Sequence, residues 1–223
     1  MAPASQPDDL AHLPRCHPFN RRLANLILRA LGWRLVSAPI THARFVFIAA
    51  PHTSNYDGIL MVIAGFALGL RISFLAKDSV FRFPLGPIVR YYGGIPVDRS
   101  HSHDLVAGIA ERFAQSSGLI LAIAPEGTRK HVDLWKSGFY HVARTAHVPI
   151  GLSYLDYATR TAGFRGFLMP TGDVRKDMDA VRAAYAGLHG LHREKESTPR
   201  LREEDEVPLD LHVPVPAEAA QRP

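Results

Sequence analysis

His52 and Asp57, in the segment His52-Thr53-Ser54-Asn55-Tyr56-Asp57, have the side chains best suited to move a proton. A carboxylate that accepts from one imidazole nitrogen fixes the tautomer. It leaves the other nitrogen free as a base and stabilises the imidazolium that forms. On a regular helix, residues five apart lie roughly 140° apart around the axis. The pair can therefore meet only where the chain curls, at a junction between loop and helix. The competing reading is a capping loop, in which Ser54 or Asn55 closes a helix and His52 is incidental.

Other segments share the same arrangement, polar groups placed where a strand-like run begins or ends. In Gly93-Gly94-Ile95-Pro96-Val97-Asp98-Arg99, the glycines allow a sharp turn or a close approach, and Arg99 can offer a planar fork to a phosphate. In Pro125-Glu126-Gly127-Thr128-Arg129, Arg129 suits a phosphate, Glu126 a hydroxyl or an arginine, and Gly127 close backbone approach. Taken alone, each reads more readily as a polar turn. Lys77, in FLAKD, ends a strand and can point into the same cleft or into solvent. Val148-Pro149-Ile150 begins a strand and carries no chemistry of its own.

The elements that must position these residues alternate in type. Arg44–Ala50, Ile72–Ala76, Leu119–Ala124 and Pro149–Leu155 read as strands. Tyr56–Leu70, His103–Gln115, Leu134–Ala146 and Lys176–Leu188 read as helices. The alternation predicts an α/β fold, a central mostly parallel or mixed sheet flanked by helices. An amino-terminal amphipathic helix is predicted over Asn20–Leu35. Its apolar face is Leu23, Leu26, Ile27, Ala30 and Leu31, and Arg22, Asn25, Arg29 and Gly32 lie opposite. Such a helix packs on a core or lies in a membrane interface, and the pattern alone favours the core. Residues 1–18 read as a flexible arm and 19–188 as the folded domain. The charged, proline-rich stretch 189–223 reads as a disordered tail.

With 223 residues, 47% of them hydrophobic, the chain is long enough for one sizeable core. The single cysteine, Cys16, excludes an internal disulfide framework and fits a reducing compartment. The start has no secretory-signal pattern. The longest apolar run, Gly58–Leu70, is shorter than the roughly 20 residues of a membrane-spanning helix. The net charge is +5. The basic residues concentrate in 1–182, whereas 183–223 is net acidic. A basic body suits nucleic acid, anionic lipid or a phosphorylated substrate. There is no Gly-x-Ser-x-Gly elbow, no P-loop and no metal-ligand cluster, and the pairs His101/His103 and His189/His192 read as surface residues.

Taken in order, HTSNYD, FLAKD, GGIPVDRS, PEGTR and VPI resemble the blocks of the glycerolipid acyltransferase family, typified by 1-acylglycerol-3-phosphate acyltransferases. The resemblance covers roughly residues 44–155. The fourth block departs from the common pattern by continuing Ile150-Gly151-Leu152. The resemblance implies that His52 and Asp57 form the catalytic dyad, His52 deprotonating an acceptor hydroxyl and Asp57 orienting it. It implies that Arg99 and Arg129 hold the acceptor phosphate, with Glu126, Gly127 and Thr128 in the same substrate-binding block. Lys77 resembles a lysine near the donor thioester.

The implied activity is transfer of an acyl group from acyl-CoA or acyl-carrier protein to the free hydroxyl of a lysophospholipid, lysophosphatidic acid first among them. No cofactor and no nucleic acid are implied. The implied setting is the cytoplasmic side of a membrane, with peripheral or monotopic attachment. The alternatives are another acceptor lysolipid, water as acceptor in a thioesterase side activity, and a non-catalytic lipid-binding module.

Overall fold

The run RFVFIAA carries apolar side chains on both faces, so as a strand it needs cover on both sides. It forms β2 (Arg44–Ala50), with Phe45 and Phe47 buried towards one face and Val46, Ile48 and Ala50 towards the other. The computed structural model describes residues 7–97 and 102–205. Its other strands are β1 (Arg34–Ser37), β3 (Ser73–Lys77), β4 (Gly94–Val97), β5 (Leu119–Ile123), β6 (Ile150–Asp156) and β7 (Thr161–Leu168). They form one seven-stranded sheet in the order β1-β7-β6-β2-β5-β3-β4, which puts β2 in the middle. Every neighbouring pair is parallel except β6 and β7, so the sheet is mixed.

The helices are α1 (Pro18–Ala30), α2 (Asn55–Ala67), α3 (Leu85–Tyr91), α4 (Ser102–Gln115), α5 (Gly138–Thr145) and α6 (Val174–Tyr185). Helices α4, α5 and α6 cover the Val46 face, with Phe113, Phe139, Tyr140 and Met178 fully buried there. Helices α1 and α2 pack on the other side with Leu155 and Ala162 of β6 and β7. Full burial of one such large apolar side chain is worth roughly 1.5–3 kcal/mol, so the two faces anchor β2 rigidly beneath the loops that leave it.

The four strands and five helices expected from periodicity are present, with ends moved by a few residues. Strands β1, β4 and β7 and helix α3 are additional. Strand β4 is built from the glycine-led motif itself. It lies at the sheet edge, where Pro96 removes no needed ladder bond.

Helix α1 buries a different stripe from the one its sequence displays. Ala24 and Leu28 are buried against α2, and the Asn25 amide donates to the Ala67 carbonyl at 3.2 Å. Leu23, Leu26 and Leu31 are 43–64% exposed and Ile27 is half-buried. The small Ala24 lets the two helices approach closely, and this contact turns the larger leucines outward. The expectation that this face packs on the core is therefore corrected.

The chain ends are also more tightly held than expected. Arg15 bridges Leu70, and the Cys16 N–H donates to the Gly69 carbonyl at 3.0 Å. Residues 189–205, expected as loose tail, lie against the body. Leu201 is fully buried in the main core, the Trp135 N–H donates to the Arg200 carbonyl at 2.7 Å, and Arg182 grips the Glu204 carboxylate at 2.8 Å. One apolar anchor and a few backbone bonds order a segment whose composition alone looks unstructured. Residues 206–223 lie outside the described residues.

Candidate active site

Strand β2 ends at Ala50, and the chain then runs Pro51-His52-Thr53-Ser54 before α2 begins at Asn55. Ser54 is the N-cap. Its backbone is extended, and its hydroxyl accepts from the Tyr56 N–H at 3.2 Å. Asp57, the third helical residue, turns back so that its Oδ2 accepts from the N–H groups of Thr53 (2.6 Å) and Ser54 (2.7 Å). This is a capping box, which satisfies N–H groups that would otherwise have no partner at the helix start. The curl brings His52 Nδ1 to 3.5 Å from Asp57 Oδ2. That separation is longer than a closed hydrogen bond, as is common before substrate binds. One carboxylate thus both caps the helix start and faces the His52 imidazole.

Asp57 Oδ1 accepts from the Ser54 hydroxyl and from the Tyr157 hydroxyl, each at 2.6 Å. Burial pushes the Asp57 carboxyl up, but the facing His52 imidazole and hydrogen bonds from Ser54 and Tyr157 outweigh it and hold the group at about 2. Asp57 is therefore an anion at neutral pH, able to orient the imidazole. Burial and the bond to Asp57 push the Tyr157 phenol well above its usual range, so it remains a donor. Tyr157 follows directly on β6, the strand that Val148-Pro149-Ile150 begins. The signal for it was position, since β6 ends beside β2. No motif of the sequence includes it, because its role depends on strand order rather than on a local pattern. Trp33, just beyond α1, meets Tyr157 edge-on at 4.9 Å and holds its ring.

Glu126 leaves the end of β5, the other neighbour of β2. Both of its carboxylate oxygens lie 3.1 Å from the backbone nitrogen of His52. Glu126 is buried, and burial raises its carboxyl to about 7. The His52 N–H and imidazole work against that rise, and Asp57 adds to it. The structure thus ties Glu126 to the main chain of His52, joining the two motifs.

Gly127 has φ +65°, a conformation that strains other residues. The side chain of Lys136 passes over it, and a Cβ at Gly127 would come within 2.7 Å of Lys136 Cδ and Cε. Thr128 and Arg129 line the same cleft as His52 and Asp57. Lys77 is the last residue of β3, two strands from β2. Arg99 lies outside the described residues.

The C-terminal segment braces this loop from behind. The His192 N–H donates to Thr53 Oγ1 at 3.2 Å, and the Tyr157 N–H donates to the His189 carbonyl at 2.8 Å. Gly190 sits so close that an added Cβ would fall 2.7 Å from the Thr53 side chain.

The cleft has a volume of about 1920 Å³ and changes character along its length. Leu23 and Ile27 of α1 and Ile59, Val62, Ile63 and Phe66 of α2 form an apolar end. Arg129, Lys136, His141 and Glu203 form a polar one, with His52 and Asp57 also on the wall. Among the described residues, no group of His, Cys, Asp and Glu is arranged to hold a metal ion, and no helix is long and apolar enough to cross a membrane.

Comparison with known proteins agrees with this architecture. Among solved structures, the 1-acyl-sn-glycerophosphate (LPA) acyltransferase PlsC from Thermotoga maritima shares the fold, with a TM-score of 0.53. The match is at 16% sequence identity and covers 74% of this chain and 77% of that one. No curated protein sequence matches the chain. The acyltransferase family model matches residues 37–151, which is β2 through the start of β6 and so both motifs of the dyad wall. On that match, the chain belongs to the acyltransferase family.

Proposed function

We propose that the protein transfers a fatty acyl group from acyl-CoA or acyl-carrier protein to the free hydroxyl of a lysophospholipid, with lysophosphatidic acid as the preferred acceptor. The observation that carries this reading is the His52–Asp57 pair, set at the carboxyl end of the central strand in a cleft with an apolar and a polar end. His52 Nδ1 faces Asp57, and Nε2 has no protein partner among the described residues. In the proposed reaction Nε2 takes the acceptor's hydroxyl proton as the oxygen attacks the thioester carbonyl. A new C–O bond forms, the C–S bond breaks, and the leaving thiolate recovers the proton from the imidazolium. A positioned imidazole base typically contributes ~10²–10⁴-fold.

The developing charge on the carbonyl oxygen needs donors. The N–H groups of His52, Thr53 and Ser54 are already engaged by Glu126 and Asp57, so the donors lie elsewhere on the cleft wall. Lys77 is the candidate that the family resemblance supplies. The apolar end suits acyl chains, and Arg129 suits an anionic headgroup.

The protein is further proposed to work on the cytoplasmic side of a membrane, attached peripherally through α1, whose large leucines face outward. The test of the activity is His52→Ala, assayed with acyl-CoA and with acyl-carrier protein against a panel of lysolipids. Transfer should fall by at least about 10³-fold with an unchanged melting temperature. Full activity in the variant would remove the dyad assignment.

A further inference from the structure

We infer that Tyr157 is a positioning residue for the proposed reaction, holding Asp57 from the end of β6 and thereby setting how readily His52 takes a proton. The inference rests on the acyltransferase reading and concerns the tuning of that same dyad. The groups that meet the Asp57 carboxylate differ in origin. The Thr53 and Ser54 N–H groups, the Ser54 hydroxyl and the His52 imidazole all belong to the segment 52–57 and move with it. Among the described residues, the Tyr157 hydroxyl is the one donor to Asp57 from another element, at 2.6 Å. It has a counterpart on the other side of β2. Strands β5 and β6 flank β2 and run parallel to it, and each is followed by a residue that holds one half of the dyad. Glu126, past β5, accepts from the His52 N–H, and Tyr157, past β6, donates to Asp57.

Tyr157 is itself fixed. Its N–H donates to the His189 carbonyl at 2.8 Å. The N–H groups of Ala158 and His189 both donate to Asp156 Oδ1, at 3.1 and 3.2 Å, which pins the turn that carries it. Trp33 meets its ring edge-on. Burial and Asp57 raise the phenol above its usual range, so it stays a donor wherever the dyad works. Tyr157 is not on the cleft wall, so it reaches the reaction only through Asp57.

A hydrogen bond to an ionised acceptor is short and strong. It draws charge from the carboxylate and so weakens the pull of Asp57 on the imidazolium. A general base must be neutral to accept a proton, and an overly strong carboxylate partner would keep it charged. With Tyr157 in place, Asp57 orients the ring without holding a proton on it. The other groups near His52 are Glu126 past β5 and, on the shared cleft wall, Arg129, Lys136 and the His141–Glu203 pair. On the C-terminal segment, His189 and His192 pair with Glu196 and Glu194 at 3.4 and 3.6 Å. None of these partners is altered by removing the phenol hydroxyl.

The experiment uses Tyr157→Phe, which removes the hydroxyl and keeps the ring against Trp33. The pH profile of kcat/KM is measured for wild type and variant, together with the melting temperature. The acid limb should move to higher pH by about half a unit. On the plateau, kcat should fall about fivefold as the carboxylate loses its outside anchor. KM for donor and acceptor should stay within about twofold. A lower melting temperature with an unmoved limb would make the hydroxyl structural and overturn the inference. A second measurement needs no turnover. The His52 ring is titrated by NMR in both proteins, its signals assigned by their loss in His52→Ala. It should titrate about half a unit higher in Tyr157→Phe. Because Glu126 titrates close by, the pair is repeated on Glu126→Gln, where the same difference should remain. No difference, or a shift to lower pH, overturns the inference. If wild type transfers no acyl group to any acceptor, the reaction reading fails, while the ring titration still decides whether Tyr157 tunes His52.

Discussion

Asp57 and Glu126 are both buried carboxylates beside His52, and their surroundings push them in opposite directions. Asp57 receives donors on both oxygens and stays at about 2. Glu126 is buried, with the His52 N–H shared between its oxygens, and rises to about 7. This has a measurable consequence for stability. The folded state holds the Glu126 proton more tightly than the unfolded chain, whose carboxyl titrates near the ordinary 4.5. Its contribution is fully present below about 4.5 and is lost as pH rises through about 7. Glu126→Gln keeps an oxygen for the His52 N–H and removes the ionisation. The variant should therefore gain thermal stability relative to wild type as pH rises from about 5 to 8, with the curves converging at the acid end. Parallel melting profiles across that range would show that Glu126 does not titrate there. Glu126→Ala should lose activity as well, since it strands the N–H that fixes His52. A buried unpaired group of this kind costs about 1–3 kcal/mol.

At the scale of elements, the sequence was most legible where one physical rule dominated. Strand β2 was found to its exact ends because seven consecutive residues suit a doubly covered strand. Strand β7 was not, because Gly163 and Gly166 interrupt TAGFRGFL and the ladder shifts register opposite Gly151 and Ser153. The dyad was visible as a motif, but Tyr157 was not. Its role depends on β6 lying next to β2, and no local pattern encodes strand order.

The segment 189–205 was misread for a related reason. Its charge and prolines dominate its composition, yet one residue, Leu201, holds it through long-range packing. That makes Leu201→Ala a sharp test. The residue is fully buried in the main core, so truncation should cost about 2–5 kcal/mol in urea unfolding. The damage should extend to the site, because the same segment supplies the His192 N–H to Thr53. A loss below about 0.5 kcal/mol would mean that the segment is not part of the cooperative unit.

For the whole molecule, the distribution of exposed apolar residues bears on how the proposed lysolipid acceptor would reach the cleft. Leu23 and Ile27 of α1 line the apolar end of the cleft, and Phe19 and Leu26 of the same helix are 63% and 64% exposed. The patch continues to α3, since Asn20 meets the Tyr91 hydroxyl at 3.4 Å, and Phe83 just before α3 is 91% exposed. Arg21 and Arg22 lie on α1, Arg90 lies on α3, and Arg82 comes just before α3. An apolar surface on elements that also carry arginines, adjoining a large cleft, suits the proposed anionic membrane interface. There each fully inserted Leu or Phe is worth about 1.5–3 kcal/mol. Phe19→Glu with Leu26→Glu changes only this surface, since neither residue is buried and neither lines the cleft. The double variant should bind anionic liposomes at least about tenfold more weakly in flotation, with an unchanged melting temperature. Its turnover of a substrate dispersed below its aggregation limit should match wild type, while turnover of bilayer-embedded substrate should fall. High salt should weaken wild-type binding further through the arginines. A double variant that floats like wild type would show that α1 is not the membrane-facing element, whatever the dyad does.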